Sequence, residues 1–218
     1  MFIPLRDENP TSRVPYITLS LIAVNVLVFC LGAFSPQGLQ MSALRFGSIP
    51  YEITHFRSLD QALRVPPFLS LLTSLFVHGS LFHLLGNMLY LWIFGNNIED
   101  VLGSFRFVLF YLACGLAAGL TQVAATPASQ VPMIGASGAI AGVLGAYLVL
   151  FPGARVLTLV FVFIVRVPAA IVLGLWFVAQ LLNVGMGGGV AWFAHVGGFL
   201  TGIGIVLVAV RRKAGRRA

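Results

Sequence analysis

Ser137 stands in Gly135-Ala136-Ser137-Gly138, and His195 in Ala194-His195-Val196-Gly197-Gly198-Phe199-Leu200-Thr201-Gly202. A hydroxyl is a weak nucleophile until a base takes its proton, and an imidazole titrating near neutral pH suits that role and the return of the proton. If a helix begins at Ser137, its first turn presents unpaired N–H groups and the positive end of the macrodipole, which would stabilise an oxyanion. A third group lies in His78-Gly79-Ser80-Leu81-Phe82-His83-Leu84-Leu85-Gly86-Asn87, where His83 and Asn87 are four apart and share a helical face. Their N–H donors could serve a developing oxyanion. Each feature also has a plainer reading. The glycines and alanines around Ser137 are small-residue packing, His195 is an interhelical hydrogen bonder, and His83 and Asn87 are polar glue between helices.

These residues need elements to hold them, and composition says which kind. The 218-residue chain is 59% hydrophobic and 9% charged, far more apolar than a soluble core of this size requires. Apolar length and breakers predict six transmembrane spans at about 14–34, 80–98, 104–124, 137–152, 168–184 and 192–210. They make one domain over 14–210, between a short N-terminal segment at 1–13 and a basic tail at 211–218. The fold class expected is therefore an all-α membrane protein. Phe68 to Val77 and Val156 to Val165 are apolar but too short to cross, and read as interfacial segments.

The fourth span is the odd one, since Ser137 to Phe151 reaches only about 22 Å before Pro152. The preceding stretch, with Pro127, Pro132 and Gly135, is irregular, so the backbone enters the membrane as a loop and turns helical near Ser137. Non-helical backbone at that depth must be buried in protein or line a water-filled cavity. Small residues at Gly138 and Gly142, and at Gly198 and Gly202, allow the fourth and sixth spans to approach closely and bring His195 to Ser137.

The charge distribution bears on partners and topology. A formal charge of +7 comes without a basic stripe interleaved with aromatics, which argues against nucleic acid. Arg6, Arg13, Arg106, Arg155, Arg166 and the tail cations fall on one side of the predicted spans, with Arg45, Arg57 and Arg64 on the other. That asymmetry places both termini in the cytoplasm of a cell membrane. Cys30 and Cys114 lie inside apolar runs and read as small buried hydrophobes. No zinc-type spacing occurs and no cofactor is expected. No acidic residue falls where it could orient His195, because Glu99 and Asp100 close the second span, so the pair must act as a dyad.

GASG at 135–138, AHVGGFLTG at 194–202 and HGSLFHLLGN at 78–87 together resemble the rhomboid family of intramembrane serine proteases, in its motif order and spacing and over nearly the whole chain. The resemblance implies a six-helix bundle whose short fourth helix starts inside the membrane, with a cavity open to the extracytoplasmic side. It implies Ser137 as nucleophile, His195 as base, and His83, Asn87 and the Ser137 N–H as the oxyanion hole. Gly135, Gly138, Gly198, Gly202, His78 and Glu99 would be structural or packing positions, and Gln122 a polar position on the third span. The substrates implied are transmembrane segments of other membrane proteins, cut where helix propensity is low and the side chain small. Two departures stand out: Ala141 occupies a position where some members stack an aromatic on the histidine, and the first loop has no Trp-Arg pair. A non-catalytic relative that binds transmembrane clients, and a small transporter built on broken helices, are the competing functions. Both Ser137 and His195 being present argues against the first, and the absence of a clear internal repeat against the second.

Overall fold

A computed structural model describes residues 2–61, 63–184 and 190–215. The elements run β1 (Phe2–Asp7), α1 (Tyr16–Ala33), α2 (Gly38–Phe46), α3 (Pro50–His55), α4 (Pro67–Thr73), a 3-10 turn (Ser74–Phe76) and α5 (Leu81–Leu102). They continue with α6 (Ser104–Ala125), α7 (Ser137–Leu150), β2 (Arg155–Val160), β3 (Phe163–Pro168), α8 (Ala169–Asn183) and α9 (Trp192–Gly215). The chain is mostly helical. Among the described residues, three stretches are each long and apolar enough to cross a membrane: α1, α6 and Trp192–Ala209 of α9. Pro67–Phe76 with Leu81–Leu102 makes a fourth if the pair, bent by 79°, is one span. At 14 and 15 residues, α7 and α8 are shorter. The end of α9 enters the basic tail, of which 216–218 lie outside the described residues.

The expectation of an all-α chain is corrected by a three-stranded antiparallel sheet in the order β1-β2-β3. The segment 156–165, expected as a loop, is extended strand instead. It forms most of a hairpin in which Val160 pairs with Phe163 across a turn at Phe161 and Val162, while β1, from the N-terminal segment, lies along β2 with Phe2 opposite Val160. Valine and isoleucine fit extended backbone, and these residues supply them. Two features hid the strands. The run is continuously apolar and does not alternate, and its tip carries Phe161 at φ +54 where a glycine or asparagine would mark a hairpin.

The core lies where α5, α6, α7 and α9 meet, with Tyr111, Tyr147, Phe94, Phe107 and Phe199 all fully enclosed. Its closest approach is between α7 and α9. A Cβ on Gly198 would collide with the carbonyl oxygen of Gly138, and one on Gly202 with that of Gly142, so the two backbones touch without side chains between them. At the far end of α5, Glu99 accepts hydrogen bonds from the Ile17 and Thr18 N–H groups at 3.0 and 2.8 Å, and from the Thr18 and Ser104 hydroxyls at 2.9 and 2.8 Å. It thus fixes the first turn of α1 and joins three helices.

Candidate active site

The loop 126–136 reaches the interior because its polar backbone finds partners there. Met133 and Ser48 exchange two backbone hydrogen bonds, at 3.0 and 2.7 Å, and the Gly135 N–H donates to the Ser74 carbonyl at 2.9 Å. Gly135 then turns the chain into α7 at φ +114, a conformation open to glycine alone. A Cβ there would also strike the imidazole of His83, at 2.7 Å from Nε2. Ser137 follows as the first residue of α7.

His195 comes to Ser137 from α9, whose first turn is tied to α6 by Gln122 accepting from the Ala194 N–H at 3.2 Å. The glycine contact between α7 and α9 sets the separation of the two helices, and the result is His195 Nε2 at 2.8 Å from Ser137 Oγ. The two groups are 58 residues apart in sequence. Both line an open cleft of about 790 Å³, as do His83, Asn87, Trp176 and Gln180.

His83 and Asn87 enter the same cleft from α5. Ser80 accepts from the His83 N–H at 3.2 Å and so caps that helix, which places His83 in its first turn and Asn87 one turn later. Both side chains face Gly135, two residues before Ser137. The Asn87 Nδ2 is buried and makes no hydrogen bond among the described residues, leaving its N–H free to donate. His78 is 1% exposed and meets the His83 ring edge-on at 5.0 Å, so it packs behind His83.

Sequence reasoning missed the surroundings of His195. It sought a carboxylate to orient the ring, whereas Gln180 of α8 lies with Oε1 2.7 Å from His195 Nδ1. The aromatic neighbours that Ala141 cannot provide come from elsewhere: Trp176 of α8 at 5.9 Å, and Trp192 at the start of α9, edge-on at 6.0 Å. The signal was present in the sequence. A glutamine inside an apolar span is costly and needs a partner, by the same argument that singled out His195.

A Rhomboid domain family model matches residues 66–212. The chain is 34% identical over 189 residues to the mouse (Mus musculus) presenilin-associated rhomboid-like protein, mitochondrial, covering 84% of this chain and 46% of that protein. It is 35% identical over 146 residues to Rhomboid protein 1, mitochondrial, of Saccharomyces cerevisiae, covering 62% and 40%. With Rhomboid protease GluP of Bacillus subtilis it shares 44% over 78 residues, 36% of this chain and 15% of that protein. The chain thus spans less than half the length of these relatives. Relatives from mouse, yeast and Arabidopsis thaliana are named mitochondrial, which overturns the expected cell-membrane location, with its cytoplasmic termini and extracytoplasmic cavity. The physical reason is that charge asymmetry tells one face of a bilayer from the other and does not say which bilayer it is.

Proposed function

The chain belongs to the rhomboid family, and from that membership and the cleft around Ser137 we propose that it is an intramembrane serine endopeptidase. The observation that carries the reading is the 2.8 Å approach of His195 Nε2 to Ser137 Oγ in an open cleft. The six helices α1, α5, α6, α7, α8 and α9 form the bundle of a single domain at 14–210, and α7 begins within the membrane. The substrate is a transmembrane segment of another membrane protein. The mitochondrial names of three relatives support a mitochondrial membrane as its location.

The reaction starts as Ser137 Oγ attacks the scissile carbonyl while its proton passes to His195 Nε2. Negative charge collects on the carbonyl oxygen, where the Ser137 N–H, the Asn87 amide and the His83 ring stabilise it. The imidazolium then protonates the leaving amine, and the peptide bond breaks to leave an acyl-enzyme. Water, deprotonated by the neutral imidazole, cleaves the ester and restores Ser137. A helical substrate hides its carbonyls in intrahelical hydrogen bonds, so segments with weak helix propensity near a small residue are preferred.

Cleavage of a model transmembrane substrate by the purified protein, abolished in Ser137→Ala and in His195→Ala with the fold intact, is the expected result. Unchanged cleavage in Ser137→Ala would overturn the assignment.

A further inference from the structure

Two hydrogen bonds of Gln180 decide where the proton of His195 resides. Its Nε2 lies 3.1 Å from the Trp176 carbonyl oxygen, and a carbonyl can only accept, so that end of the amide is the NH2 group. The other end, facing His195 Nδ1 at 2.7 Å, is therefore the oxygen. An amide oxygen also only accepts, so Nδ1 must carry hydrogen. A neutral imidazole with hydrogen on Nδ1 has its lone pair on Nε2, and that atom is the one 2.8 Å from Ser137 Oγ.

We propose that Gln180 is the positioning residue of this site, holding His195 in the one tautomer and ring orientation that can take the Ser137 proton. The proposal rests on the reading of Ser137 and His195 as nucleophile and base, and replaces the bare dyad with a chain of four groups, Trp176 carbonyl, Gln180, His195 and Ser137. Both Gln180 and His195 are buried, so water does not compete for the bond. Gln180 transfers no proton. When His195 takes the serine proton on Nε2, its Nδ1–H stays on the amide oxygen, which stabilises the imidazolium as a dipole and not as a full charge. No carboxylate lines the cleft among the described residues; its other titratable groups are His83 and Tyr90. A glutamate at position 180 would therefore put the first negative charge beside the ring.

The test is the rate at which a fluorophosphonate labels Ser137 in the purified protein, followed from about pH 5 to 9 across the ordinary range of a histidine. Gln180→Leu is expected to lower the plateau rate about 10- to 100-fold at unchanged melting temperature, a part of what acid–base catalysis supplies. Gln180→Glu is expected to retain most of that rate and to move the acid limb upward by about one pH unit, since a carboxylate favours the protonated ring. A folded Gln180→Leu within twofold of wild type, or a Gln180→Glu profile with its limb unmoved, overturns the proposal. Should Gln180→Leu fail to fold, the limb of Gln180→Glu decides. Ser137→Ala run alongside keeps the two readings apart: labelling that persists there defeats the nucleophile assignment, whatever Gln180 does.

Discussion

The Tyr147 hydroxyl, midway along the helix that begins at Ser137, donates to Asp7 Oδ2 of the first strand at 2.9 Å. Asn97 of α5 donates to the same oxygen at 2.7 Å. One carboxylate therefore ties the sheet to two helices that line the cleft. Burial pushes its pKa above the ordinary 3.8, against the pull of the two hydrogen bonds. Between the ordinary and the raised value the folded chain holds a proton that the unfolded chain has lost, so stability falls as pH rises through that window. The melting temperature of wild type relative to Asp7→Asn is expected to decline as pH rises above the ordinary aspartate value. A difference that stays flat with pH would show that Asp7 does not titrate there.

The glycine contact between α7 and α9 makes a paired prediction. A methyl at Gly202 meets the Gly142 backbone, whereas nothing lies within 4 Å of one at Gly204. Gly202→Ala should destabilise by about 1–3 kcal/mol, the usual effect of overpacking. Gly204→Ala, which gains helix propensity, should stabilise by up to about 1 kcal/mol. Thermal melts of the two variants in one detergent compare them directly, and equal behaviour would refute the close contact.

Asn87 should separate rate from stability. Its Nδ2 makes no hydrogen bond among the described residues, so Asn87→Ala gives up little that holds the fold. Loss of one oxyanion donor lowers kcat by about 10²–10³. The expected result is that fall with KM and melting temperature near wild type, measured on a cleaved transmembrane substrate. A fall in melting temperature with kcat preserved would make Asn87 structural.

Glu99 is expected to behave in the opposite way. It is 3% exposed and accepts from two backbone N–H groups and two hydroxyls. Glu99→Ala leaves those donors without an acceptor, at a cost of about 1–3 kcal/mol for each one that stays buried. The folded fraction should drop at physiological temperature, while the protein that remains folded labels at Ser137 at the wild-type rate. A reduced rate per folded molecule would mean that Glu99 reaches the cleft.

Much of this arrangement is legible in the residues themselves. Composition sets the helical membrane class, and three motifs carry the family. The approach of α7 to α9 can be read from small residues four apart, because that spacing leaves a bare strip on a helix whatever its neighbours are. The sheet is not legible in the same way: the run 156–165 is apolar almost throughout and does not alternate, and Phe161 stands where turn residues usually do. Gln180 escaped for a different reason. An orienting group was sought among carboxylates, although accepting one hydrogen from Nδ1 requires an oxygen and not a charge. Pairing between Phe2–Asp7 and Arg155–Val160 leaves no local trace at all, since neither segment identifies its partner.

That last pairing sets an order of events during synthesis. The strand Phe2–Asp7 is made before its partner, which appears only after every helix from α1 to α7 has been translated. At about 5–20 residues per second, the first strand waits on the order of ten seconds or more beside a growing chain. Its carboxylate cannot meet Tyr147 until the Ser137 helix is complete. Closure of the sheet thus comes after synthesis of the Ser137 helix, and the strand Phe2–Asp7 spends that interval without its partner.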